Sequence, residues 1–90
     1  SVVIDDLLDH MNISWQDSGL DKNEYSWETV AYVITSELER FPEKNEKIIF
    51  ESQYNDTAYT DGYQHKSLHI QITKRDDNTI NEITAKIKID

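Results

Sequence analysis

The chain has 90 residues, of which 37% are hydrophobic and 30% charged, with a formal net charge of −9 at pH 7. This size predicts a single domain over 1–90 with one modest core. The chain has no cysteine, which excludes a disulfide framework and a thiolate metal site or nucleophile. The negative charge argues against direct nucleic-acid binding. We expect no membrane span, because no apolar run approaches the length of a bilayer-crossing helix, and no secretion signal, because no basic N-terminal segment precedes an apolar stretch; the expected location is cytoplasmic.

The first part of the chain carries apolar residues at helical spacing. Val3, Leu7 and Met11 form one stripe, which predicts a helix over 2–12 with its acidic residues on the opposite side. A connection is expected over 13–23. A second helix is predicted over 24–41, ending before Pro42, from the spacing of a longer apolar series: Trp27, Val30, Ala31, Ile34, Leu38 and Phe41.

The apolar period changes to two after Pro42, which is typical of half-buried strands. Strands are predicted over 47–54, 64–73 and 82–89, and the short breaks between them favour antiparallel hairpins. We therefore expect an α+β fold in which two N-terminal helices (an acidic helical layer, 1–41) pack on one face of a three-stranded antiparallel meander (47–89), in the order ααβββ. The predicted core comprises Trp27, Ile34, Leu38, Phe50, Leu68, Ile70, Ile72, Ala85 and Ile87.

The negative charge is concentrated in the first 39 residues, which carry a net charge of −8. Helical carboxylates four residues apart lie about 5–6 Å from each other, a spacing comparable to that of neighbouring phosphates. Such like-charge pairs destabilise a helix, so their accumulation favours a binding role, although a solvated acidic surface without a partner is an open alternative. The predicted partner-binding residues are Asp5, Asp6, Asp9, Trp15, Asp17, Asp21, Glu24, Tyr25, Glu28, Tyr32 and Glu39.

Metal and catalytic motifs are not supported by the residue spacing. His65 and His69 fall on a predicted strand, where residues four apart are separated by about 13 Å, too far for one zinc ion. The carboxylates between Asp17 and Glu28 lack the ligand alternation and the sixth-position glycine of a calcium loop. With two glycines in the chain, no glycine-rich phosphate loop is possible. We predict no catalytic residue, no metal, no cofactor and no enzymatic activity.

The sequence thus favours a small, non-enzymatic inhibitor that resembles nucleic-acid mimics and immunity proteins in type alone. Its acidic helical layer would occlude the basic surface of a nuclease or another nucleic-acid-acting protein. An alternative from a different class is a structural or adaptor module for protein–protein interaction, for example a homodimer, that pairs through residues 83–89 or through an exposed aromatic patch. A third, weaker interpretation is a ligand-binding or enzymatic domain that uses residues 54–63 and His65.

Overall fold

The structure is a computed structural model that describes residues 2–52 and 66–89. Within these ranges four short helices precede three strands, which confirms the α+β class: α1 Ile4–His10, α2 Trp15–Ser18, α3 Lys22–Tyr25, α4 Val30–Leu38, β1 Lys47–Glu51, β2 Lys66–Arg75 and β3 Ile80–Ile89. The strands form one antiparallel sheet in the order β1-β2-β3. Predicted strand positions 53, 54, 64 and 65 lie outside the described ranges. No helix in the described part of the chain is long and apolar enough to cross a membrane.

Alternate residues of the strands form a buried face of the sheet. Ile48 and Phe50 of β1 are each 6% exposed, and they lie opposite Ile70 and Leu68 of β2, which are 1% and 0% exposed. Directly opposite residues in an antiparallel pair point to the same side, so β3 extends this face with Ile83, Ala85 and Ile87. These three β3 residues are only half-buried. The best-covered part of the sheet is therefore β1 and β2.

The helices and their connections contribute the rest of the core. Their buried apolar residues cluster with the buried face: Ile4, Leu8, Ile13, Leu20, Tyr25, Val30, Val33 and Ile34. Of the predicted core, five residues are confirmed as buried: Ile34, Phe50, Leu68, Ile70 and Ile72. Leu38 and Ala85 are partly buried against the cluster, and Ile87 is half-buried. The assignment of Trp27 to the core is wrong, since its side chain is 74% exposed.

The prediction of one continuous second helix over 24–41 is also wrong. The chain forms α3 and α4 there, separated by a turn at residues 26–29 in which Trp27 has a left-handed φ of 69°. Thr29 begins the new helix, because its Oγ1 accepts a hydrogen bond from the backbone N–H of Tyr32 at 3.1 Å. α4 ends at Leu38, where Glu39 adopts a left-handed conformation (φ 57°) before Pro42 is reached. Trp27 thus lies outside the helix whose apolar period it appeared to share.

The connection predicted over 13–23 contains α2 and the start of α3. Ser14 caps α2, accepting a hydrogen bond from the N–H of Asp17 at 3.0 Å, and Gly19 ends it with a left-handed φ of 71°. The buried hydroxyl of Ser18 accepts a hydrogen bond from the N–H of Leu20 at 3.1 Å. Four helical residues are too few to produce an apolar period, so this helix depends on its caps.

Candidate functional site

The helices α1 and α4 begin side by side, which places the 26–29 turn against the start of α1. Val3 and Thr29, the residues that precede the two helices, form an antiparallel β-bridge. The N–H of Ile4 donates to the carbonyl oxygen of Glu28 at 2.8 Å. The turn is thus fixed to the N-terminal end of α1 by backbone hydrogen bonds.

Trp27 is held in an unfavourable backbone conformation by one carboxylate. Asp5 accepts a hydrogen bond from the backbone N–H of Trp27 at 2.5 Å on Oδ1 and one from the hydroxyl of Ser26 at 3.0 Å on Oδ2. A left-handed conformation costs a residue with a side chain about 1–2 kcal/mol. The Asp5 contacts offset that cost, while the indole remains 74% exposed. Backbone strain at a fixed, exposed aromatic residue is typical of binding surfaces.

Three exposed carboxylates are sequence neighbours of the turn or of Asp5, the residue that holds it. Glu28 follows Trp27 directly, Glu24 precedes it by three residues on α3, and Asp6 follows Asp5 on α1. All three side chains are exposed. We name the set formed by Asp6, Glu24, Trp27 and Glu28 the acidic Trp27 surface. It combines a large apolar group with negative charge, the composition expected of an anchor for a basic protein.

The break between α3 and α4 changes the expected spacing of the helical carboxylates. Glu24 and Glu28 were expected four residues apart on one helix, but Glu24 lies in α3 and Glu28 lies in the turn. The corresponding pair on α1 is Asp5 and Asp9, and Asp5 is engaged with the Trp27 turn. A regular phosphate-like spacing is therefore not available from these two pairs. What remains is the concentration of negative charge.

Tyr25 was expected at the surface, and this is wrong, because its side chain is 2% exposed and belongs to the core. Its hydroxyl lies 2.7 Å from Oε2 of Glu37 and 2.9 Å from Oγ of Ser36. With one proton to give, the phenol donates to the carboxylate and accepts from the serine hydroxyl. Burial is the main cause that raises the pKa of Tyr25, and the Glu37 carboxylate raises it further. Tyr25 thus positions α4 relative to α3.

Tyr32 is exposed, as expected. Its side chain is 52% exposed, and its ring centroid lies 6.4 Å from that of Tyr25 with the ring planes at 70°. An edge-to-face contact with a buried ring restricts the motion of the exposed one. Tyr32 thus offers a second supported aromatic surface on α4.

The other predicted partner-binding residues differ in their environments. Asp9, Asp21 and Glu39 are exposed, and Asp21 also caps α3 by accepting a hydrogen bond from the N–H of Asn23 at 2.9 Å. Asp5 and Asp17 are half-buried. Trp15 is half-buried and packs against the core, so most of its surface is not available as a contact. Trp27 is the residue that sequence reasoning missed. Two residues suited to capping within one supposed helix, Ser26 and Thr29, were the signal for the break.

The side of the sheet opposite the core has a different charge. Register places Lys47 beside Gln71 on this open face, and His69 beside Lys86. The open face thus consists of Lys47, Ile49, Glu51, Ser67, His69, Gln71, Glu82, Thr84, Lys86 and Lys88. It carries three lysines against two carboxylates, whereas residues 1–39 carry −8. The charge asymmetry of the sequence therefore separates the open face from the acidic Trp27 surface.

Within residues 2–52 and 66–89, no group of three histidine, aspartate or glutamate side chains could hold a metal ion. His65 and residues 54–63, which carried the weaker ligand-binding interpretation, lie outside the described ranges. Comparisons of the chain with family models, with curated proteins and with solved structures gave no significant match.

Proposed function

We propose that this chain is a small, non-enzymatic inhibitor that binds the basic surface of a nuclease or another nucleic-acid-acting protein. The observation that carries the proposal is Trp27, whose indole is 74% exposed on a backbone held in a left-handed conformation by Asp5. In the free protein the exposed indole contributes little burial energy, while the backbone conformation costs about 1–2 kcal/mol. A partner that covers the indole would recover the burial energy.

The carboxylates and the indole have separate tasks in this proposal. Asp6, Glu24 and Glu28 are exposed, and with the rest of the −8 of residues 1–39 they attract a cationic groove over a long range. Charge complementarity sets the rate of encounter and the orientation of the partner. Trp27, buried on contact, sets the lifetime of the complex. Occupation of the groove by carboxylates excludes nucleic acid from it.

The test begins with affinity capture from a lysate on the full chain, followed by mass spectrometry to identify the partner. The purified partner is then titrated calorimetrically at about 0.05 M and about 0.3 M salt, since screening weakens attraction between surface charges. We expect Trp27→Ala to weaken binding by at least about thirtyfold, the effect of losing a central aromatic anchor. The triple variant Asp6→Lys, Glu24→Lys and Glu28→Lys should lose both affinity and salt dependence.

The matched control is Glu51→Lys, a charge reversal on the open face, which we expect to change affinity by less than about twofold. Asp5 stays unchanged in every variant because it holds the Trp27 turn. A short DNA or RNA duplex should displace the chain from its partner. The proposal fails if the Trp27 and triple variants bind like the parent, if the control loses binding, or if nucleic acid does not compete.

A second candidate function, a structural or adaptor module, is supported by a different observation. β3 is ten residues long and lies at the edge of the sheet, where a strand of another chain could add to it. Binding of this kind depends on backbone hydrogen bonds, so its affinity should not fall when salt screens the acidic surface.

A further inference from the structure

The strand β3 combines a free edge with an apolar side that is only partly covered. Among the residues that the structure describes, strand order leaves one side of β3 without a neighbour from the sheet, and an edge strand presents unpaired N–H and C=O groups to one side. Ile83 and Ile87 of β3 are half-buried, whereas Leu68 on β2 is 0% exposed. Ile89 is 53% exposed. The edge thus offers both a hydrogen-bonding ladder and apolar contact area.

We infer that β3 pairs antiparallel with β3 of a second copy of this chain, about a two-fold axis at Ala85. In this register Ile83 lies opposite Ile87 of the partner copy on the buried face, and Glu82 lies opposite Lys88 on the open face. Because the axis relates the two copies, each pair occurs twice. The result is a six-stranded antiparallel sheet. This inference gives the second candidate function its partner and does not rest on the acidic Trp27 surface.

Side-chain chemistry selects this register over its neighbours. An axis at Lys86 would place two lysines directly opposite each other, which is destabilising. An axis at Thr84 would place Ile87 opposite Asn81, which lies in the irregular part of β3 between the paired residues Ile80 and Glu82. A shift of the β3–β3 register by one residue would place the apolar side chains of one copy beside the lysines of the other. Of these axes, only the one at Ala85 places isoleucine opposite isoleucine and a carboxylate opposite a lysine.

The lysines of β3 oppose unspecific pairing without preventing this one. Lysines on an edge strand discourage the addition of another strand. Here Lys88 meets Glu82 and Lys86 meets Thr84, so the same charges that disfavour other registers are accommodated in this one. Each copy carries a net charge of −9, so long-range repulsion opposes association at low ionic strength. Dimerisation should therefore strengthen as salt rises, opposite to the behaviour expected for capture of a basic partner.

The register can be tested by single cysteine substitutions, because the chain contains no cysteine of its own. A residue on the axis lies opposite its own copy with Cα atoms about 4.5–5.5 Å apart, within the range of about 4.4–6.8 Å that a disulfide spans. We expect Ala85→Cys to form a covalent dimer on mild oxidation, and Thr84→Cys and Lys86→Cys to do so far more slowly. Circular dichroism of each reduced variant establishes that it is folded.

Charge exchange provides a second test by sedimentation equilibrium. Lys88→Glu sets one carboxylate opposite Glu82 in each of the two symmetry-related pairs and should weaken dimerisation by about tenfold or more. Adding Glu82→Lys to the Lys88→Glu variant restores opposite charges across the interface and should recover the dimerisation constant of the parent protein. Since Glu82 also lies 3.7 Å from Lys74 within one copy, the thermal stability of the double variant is measured alongside.

The inference is overturned by any of three results. The chain could sediment as a monomer at all concentrations up to about 1 mM, which corresponds to an association free energy weaker than about −4 kcal/mol. Disulfide cross-linking could be fastest for the cysteine at position 84 or 86. Lys88→Glu could leave the dimerisation constant unchanged. The Asp6→Lys, Glu24→Lys and Glu28→Lys variant should dimerise at least as well as the parent at about 0.15 M salt, so the two proposals succeed or fail separately.

Discussion

The sheet and the helices of this protein are specified in different ways. The three β2 residues on the buried face are 0–1% exposed, and the strand pairs with a neighbour on each side. The helices α1, α2 and α3 are only four to seven residues long, too short to be stable alone. Individual contacts define them, such as Asp5 with Trp27 and Ser14 with Asp17. The strands are thus specified by many similar apolar contacts, whereas the boundaries of the helices depend on a few specific hydrogen bonds.

The largest effect is expected in the sheet. Ile70→Ala removes a side chain that is 1% exposed, and the lost burial and the resulting cavity should lower the free energy of unfolding by about 2–5 kcal/mol. The matched control is Ile49→Ala on the open face, where the side chain is 55% exposed and the change should be under about 1 kcal/mol. Urea denaturation measures both variants. Equal losses would show that the two faces of the sheet are not distinct.

The next largest effect on the free energy of unfolding is expected to differ between two adjacent aspartates, Asp5 and Asp6. Asp5→Ala leaves the N–H of Trp27 and the hydroxyl of Ser26 without their acceptor and should cost about 1–3 kcal/mol. Asp6→Ala, at an exposed neighbour on α1, should change stability by no more than about 0.5 kcal/mol. Both variants lose one negative charge, so their difference isolates the hydrogen bonds. If they unfold at the same denaturant concentration, the turn is held by other contacts.

A smaller effect is expected at the start of α4. Thr29→Ala removes the Oγ1 that accepts the hydrogen bond from Tyr32 and should destabilise the protein by about 0.5–2 kcal/mol. Thr29→Ser keeps a hydroxyl in place and should recover most of the loss. Thermal unfolding followed by circular dichroism compares the three proteins. A serine variant no better than alanine would assign the loss to the threonine methyl group.

The smallest effect lies at the junction between α4 and β1 and depends on pH. Arg40 Nη1 donates to Oε1 of Glu46 at 2.9 Å, and the N–H of Glu43 donates to the same oxygen at 2.9 Å. The Arg40 hydrogen bonds, followed by that of Glu43, lower the pKa of Glu46 to about 2. The unfolded chain has an ordinary glutamate pKa of about 4.3, so this contribution is complete above that pH and is lost as pH falls toward 2.

Glu46→Gln tests this dependence, because glutamine keeps the shape of the side chain without the titrating group. Unfolding free energies of the two proteins, measured at intervals between about pH 5 and pH 2, should converge as the pH falls. A difference that stays constant over that interval would mean that the pKa of Glu46 is the same in the folded and unfolded states.

The predictable part of the fold is the part with a repeating pattern. The period of two in Ile48–Phe50 and Leu68–Ile70–Ile72 identified the strands and their buried face, and the connection between β2 and β3 lies within the break predicted between residues 73 and 82. The helical part was less predictable because its boundaries depend on caps. Trp27 matched the period of α4 by its spacing alone, and a contact with Asp5, twenty-two residues away in sequence, decided its position. Helical spacing correctly predicted that Tyr32 is exposed. It could not predict that Tyr25 is buried, because Tyr25 lies in α3, before the break that separates α3 from α4.

The exposure of Trp27 also gives this protein an intrinsic optical reporter. The chain has two indoles, one 74% exposed and the other, Trp15, half-buried against the core. In a Trp15→Phe variant the remaining emission would come from a solvated indole and lie at long wavelength. Carboxylates beside Trp27 repel iodide and attract caesium, so the cation should be the more effective quencher at low ionic strength. A shift of this emission to shorter wavelength, with loss of caesium quenching, would report occupancy of the acidic Trp27 surface without any label.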